Sequence, residues 1–157
     1  MNKLRHWRLA ILLVVVVLTV FGACGSPVRV TETARSPLPA QLHLLLRDEF
    51  GLNGNGEDVY LTYLLIEPRP AVDIPTAVGL LENHLQERGY ETRPAPQTFR
   101  YPAIQGSGEE GTVAVGTLEA YLGDLGDKIT EADVPNKFQE RIGGADPAGF
   151  VVVIFEP

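Results

Sequence analysis

Residues 58–67 read Asp-Val-Tyr-Leu-Thr-Tyr-Leu-Leu-Ile-Glu, a strand-length run that is apolar on both alternating faces. Such a run belongs in the middle of a sheet covered on both sides. Phe150 to Phe155 (FVVVIF) has the same character and predicts a second buried strand. Between them the chain is punctuated. Pro68 and Pro70 end the first run, and Asp73-Ile74-Pro75 opens a helix to about Arg88, with Asp73 as cap. Val78, Leu81 and Leu85 form its buried stripe, and Gly89 closes it. Tyr90 to Arg93 reads as a short strand, and Pro94 and Pro96 mark it as an edge, since proline cannot donate to a ladder.

The second half echoes the first. Thr112 to Leu122 places Ala114, Gly116, Leu118, Ala120 and Leu122 on one face of a strand, although Leu118, Tyr121, Leu122 and Leu125 also have helical spacing. Both assignments of 117–125 stay open. Asp133-Val134-Pro135 then opens a helix carrying Val134, Phe138 and Ile142 on one side and stopped by Gly143. The succession strand–helix–strand, strand–helix–strand predicts an α+β domain of the ferredoxin-like βαββαβ arrangement, an antiparallel sheet with both helices on one face. A further helix is expected ahead of it over 38–50, because Leu42, Leu45, Leu46 and Phe50 share a stripe between Pro39 and Gly51. A long connection is expected over 96–111. Fold-level analogy of this kind carries no activity.

Before this domain the sequence changes character. Met1 to Arg8 is basic, Leu9 to Val20 is apolar apart from Thr19, and small residues follow at Gly22, Ala23 and Gly25. That is the three-part layout of a secretory signal peptide. Its apolar stretch of about 12 residues falls short of the roughly 20 that span a bilayer. Phe21-Gly22-Ala23-Cys24 resembles the lipobox of bacterial lipoproteins, with Phe21 in place of the preferred aliphatic residue. The resemblance implies cleavage before Cys24 and a diacylglyceryl group on its thiol. It divides the chain into a signal peptide (1–23), a lipidated N-terminus and tether (24–36), and a globular domain (37–157). It also implies a lipid-anchored protein on the extracytoplasmic face of the cell membrane.

Charge narrows the partners. Residues 1–23 carry three bases and no acid, which leaves 10 bases against 20 acids in the remainder. A chain so acidic lacks the cationic surface that phosphate backbones require, so no nucleic-acid role is expected. Nor is it drawn to an anionic membrane, and attachment must come from acyl chains, each buried CH₂ contributing about 0.8 kcal/mol. The single cysteine excludes intramolecular disulfides.

Residues with chemical potential are sparse. His43 and His84 stand apart on separate predicted elements, and no zinc-type spacing occurs, so neither metal nor cofactor is expected. His84 reads as a half-exposed helix residue. Ser107 lacks a strand–turn–helix setting for a nucleophile. Asp124, Asp127, Glu131 and Asp133 form the densest acidic group and read as a solvated loop with a helix cap. Phe99, Arg100, Tyr101 and Ile104 combine the residue types of interface hot spots in one long loop, and are the candidate partner-binding residues. Two functions remain: a non-enzymatic binding or accessory module for an envelope protein or small ligand, and an extracytoplasmic hydrolase using a carboxylate pair.

Overall fold

The computed structural model describes residues 32–54, 57–96, 102–125 and 133–157. In chain order these form α1 (Glu32–Arg35), β1 (Leu42–Gly54), β2 (Glu57–Pro68), α2 (Ile74–Gln86), β3 (Glu91–Pro94), β4 (Pro102–Gly108), β5 (Gly111–Thr117), α3 (Leu118–Leu125), α4 (Asp133–Ile142), a 3-10 turn (Pro147–Gly149) and β6 (Val151–Glu156). The strands make one sheet in the order β1-β2-β6-β5-β4-β3. Every neighbouring pair is antiparallel.

The fold is α+β, but it is not the ferredoxin-like βαββαβ arrangement. β6 lies between β2 and β5, β4 lies between β5 and β3, and helices cover both faces rather than one. The physical cause lies in the strands themselves. On one face Leu64, Ile66, Val113, Val115, Val151, Val153 and Phe155 meet Ala77, Leu81 and Leu85 of α2. On the other, Tyr63, Leu65 and Val152 meet Leu118 and Tyr121 of α3 and Val134 and Phe138 of α4. A sheet apolar on both sides cannot leave either one in water, so the two helical layers divide between them.

The stretch expected as a helix over 38–50 is instead the edge strand β1. Its register against β2 slips between Leu44 and Leu46, leaving Leu45 as an extra residue. Leu42 and Leu44 therefore face the α2 side, while Leu45, Leu46 and Phe50 join the opposite cluster. A bulge that exchanges faces in mid-strand produces apolar spacings of three and four. Those spacings imitate a helix.

The strand expected over 112–122 ends at Thr117, and 118–125 is helical. Thr117 Oγ1 accepts the Ala120 N–H at 3.1 Å, which caps α3 and turns the chain off the sheet. The expected long connection over 96–111 contains β4, which pairs with both β3 and β5.

α2 follows its sequence signals closely. Asp73 Oδ1 accepts the Thr76 N–H at 2.8 Å, and hydrogen bonding from the Thr76 side chain, then its backbone, holds the carboxyl below its ordinary pKa. At the other end Gly89, with φ of 84°, lets the Tyr90 and Gly89 N–H groups return to the carbonyls of Leu85 and Gln86. Ahead of the sheet, Glu32 to Ser36 is folded onto the domain, with Thr33 and Ala34 buried, so five residues assigned to the tether belong to the globule.

Candidate functional site

Cross-strand register lays out the face that carries α3 and α4 in parallel rows. One row reads Gly116, Val152, Leu65, Leu46 across β5, β6, β2 and β1. α3 begins immediately beyond it, and this row is roofed. The next row reads Arg93, Gln105, Ala114, Ile154, Tyr63, and the outermost reads Glu91, Ser107, Thr112, Glu156. Tyr63 is sealed by the rings of Tyr121 and Phe138, at centroid distances of 6.2 and 6.4 Å. Over β3, β4 and β5 these two rows stay open, and the small side chains of Ala114, Ser107 and Thr112 leave the surface low between the longer Glu91, Arg93 and Gln105.

The result is a groove of about 430 Å³. Ala114 and Ile154 make a partly exposed apolar floor, Gln105, Ser107 and Thr112 supply polar groups, and Asp124 at the end of α3 stands on the wall. Glu91, Arg93 and Glu156 are all exposed there. Among the described residues none of these carboxylates has a cation within 4.0 Å. Thr112 Oγ1 donates to Glu156 Oε2 at 3.4 Å, a long and weak contact.

Glu91 and Glu156 are three strands apart in one row, which is about 14 Å at the usual inter-strand spacing. Paired-carboxylate hydrolysis needs roughly 5–9.5 Å. This pair is therefore not arranged for that chemistry.

A second polar cluster surrounds His84, which is 7% exposed rather than half-exposed. Its Nδ1 lies 3.0 Å from Arg88 Nη1, and guanidinium can only donate, so Nδ1 is the accepting nitrogen. Nε2 must then carry the proton and donate to Ser36 Oγ at 3.2 Å. The Ser36 hydroxyl spends its own proton on the Thr33 carbonyl at 2.6 Å. A serine–histidine pair with this polarity cannot act as nucleophile and base, because the imidazole has no free lone pair facing the hydroxyl. Burial, and then Arg88, push the His84 pKa down, opposed by Glu87. The cluster is a clasp. It ties the segment before β1 to α2, and Thr33 N–H adds a bond to Glu110 Oε2 at 3.1 Å.

The residues singled out by sequence are dispersed. Ser107 and Asp124, read separately, meet in the groove. Ile104 is 7% exposed and points into the core under α2, so it offers no partner a surface. Phe99, Arg100 and Tyr101 lie outside the described residues, as do Asp127, Glu131, Cys24 and the residues before it. Asp133 begins α4 and is exposed. His43 is exposed on β1, 3.6 Å from Glu67. Among the described residues no three His, Cys, Asp or Glu side chains converge as a metal site, and no helix is long and apolar enough to cross a membrane.

Glu91, Arg93, Gln105, Thr112 and Glu156 were not singled out by sequence. Their trace is the polar alternation at 91/93 and 105/107, which becomes a surface only once four strands are aligned. Comparison of the chain with protein-family models, with curated proteins and with solved structures gives no match.

Proposed function

We propose that this protein is a lipid-anchored, extracytoplasmic lipoprotein whose folded domain is a non-enzymatic binding module. The anchoring half rests on the basic–apolar–small succession that ends in Phe21-Gly22-Ala23-Cys24. Two or more acyl chains on one thiol hold an acidic globule beside a membrane that its charge does not favour. The binding half rests on one observation, the groove over β3–β5 that the α3–α4 layer leaves uncovered. Concave surfaces with an apolar floor and a few polar groups are where proteins take up ligands and partner segments.

Intact-mass measurement of the protein in the membrane fraction tests the anchor. A mass lacking residues 1–23 and carrying a diacylglyceryl adduct is expected, and Cys24→Ser should abolish both. Retention of Met1 overturns it. For the binding half, a photoreactive residue at position 105 should crosslink a partner in cells, whereas one at the exposed Asn83 on α2 should not. Equal labelling at both positions, or none at 105, removes the groove as the binding surface.

A further inference from the structure

The groove assigned above as the binding surface has a charge layout that selects among partners. Its lining holds three carboxylates, Glu91, Asp124 and Glu156, against one guanidinium, Arg93. In an acidic protein this excess could be mere solvated surface. Here, however, the carboxylates are placed at the limits of a shaped floor. Glu91 stands at one end of the outer row and Glu156 at the other, with Ser107 and Thr112 between them. Beside that row lies the apolar shelf of Ala114 and Ile154.

Resting on the binding-module reading, we propose that the groove accepts a basic, extended peptide segment of a partner protein, laid across the strands with two Lys or Arg side chains about four residues apart. The spacing follows from geometry. Three inter-strand steps cover about 14 Å, and an extended chain advances about 3.3 Å per residue, so side chains at i and i+4 span the gap. In an extended chain i, i+2 and i+4 point the same way. The middle residue then lies over Ser107 and Thr112, beside the apolar shelf of Ala114 and Ile154. A lone amine could satisfy one end of this row, but not both.

A carboxylate at each end also fixes register along the groove, since a segment shifted by one residue turns its basic side chains away. Each contact is exposed and screened by salt, so the interaction is of modest affinity and weakens as ionic strength rises.

The test uses the full chain purified with its native N-terminus, and a fluorescent peptide carrying lysines at i and i+4 with serine midway. Anisotropy should show saturable binding that salt weakens. Moving the second lysine to i+3 should weaken it several-fold, and replacing both lysines with glutamate should abolish it. The double variant Glu91→Gln/Glu156→Gln should bind about tenfold more weakly. Glu109→Gln, an acid of the β4–β5 turn outside the groove lining, should bind as the parent does. The proposal is overturned if the basic peptide does not bind, if spacing is irrelevant, or if both variants behave alike. Crosslinking from position 105 separates the binding module from its preference for basic peptides. A native partner captured there while the peptides fail leaves the binding module standing with a different ligand chemistry. Failure of both removes the two together.

Discussion

The Nε2 of His84 lies 3.2 Å from the hydroxyl oxygen of Ser36 while Arg88 Nη1 donates to Nδ1 at 3.0 Å, and the two contacts together require a neutral ring. The segment leading towards the N-terminus is thus fastened to α2 by an imidazole that burial, and then Arg88, hold below its ordinary pKa.

That clasp makes stability depend on pH in a definite direction. The folded pKa of His84 is lowered from 6.5, so as pH falls through that value the unfolded chain takes up a proton and the folded one does not. The contribution of the neutral ring is complete above the unfolded pKa and declines as pH drops towards the folded value. Urea midpoints measured at pH 7.5 and pH 5.5 should fall with acidification. In His84→Asn the fall should be smaller. An equal slope in both proteins would locate the effect elsewhere.

Tyr90 behaves in the opposite sense, at the alkaline end. Its side chain is buried against Phe155, and burial, with Glu110 nearby, pushes the phenol up to about 12. The unfolded chain loses this proton near pH 10 while the folded one retains it, so stability decreases as pH climbs from 10 to 12. Thr33 approaches the hydroxyl without making a bond of good geometry, and the oxygen has no partner among the described residues. Tyr90→Phe should accordingly be neutral or stabilising, within about 1 kcal/mol, as read by chemical denaturation. Ultraviolet titration should show one fewer late-ionising tyrosine.

Phe138 is fully buried, and its ring lies 6.4 Å from Tyr63 and 5.9 Å from Tyr121. It holds α4 on the sheet. Phe138→Ala should cost about 3–5 kcal/mol, while Phe138→Leu should cost much less because most of the volume is kept. Comparable losses in the two variants would mean that the aromatic contacts, rather than volume, set the value.

Gly111 begins β5 with φ of 114°, and a Cβ there would overlap the Glu156 carbonyl oxygen and the Pro157 backbone. Gly111→Ala should cost more than the ~1–3 kcal/mol of backbone strain alone and lower the thermal midpoint by several degrees or more. Gly143→Ala is the informative control. It also has positive φ but has open space around it, so only the backbone term applies.

Sequence pattern exposed the elements whose signals are local. β2 and β6 are apolar on both faces, and α2 and α4 carry Asp-Ile-Pro and Asp-Val-Pro openings at their starts. β1 was hidden by its bulge at Leu45, which turns a period of two into helical spacing. α3 was ambiguous because Leu118 continues the alternation of β5 while Thr117 already caps a helix. The groove was invisible for a different reason. Glu91, Ser107, Thr112 and Glu156 are neighbours only through three strand pairings, and those depend on strand order, which periodicity does not encode. The same order separates this fold from the arrangement that its succession of elements suggested.

Strand order also carries a temporal consequence. β6 is the last strand in the sequence, yet it forms the join between the β1–β2 pair and the β5–β4–β3 ladder. Until residues 151–156 have been synthesised, the two parts of the sheet share no hydrogen-bonded seam, and each presents raw apolar edges. A nascent chain without its keystone cannot complete its tertiary structure.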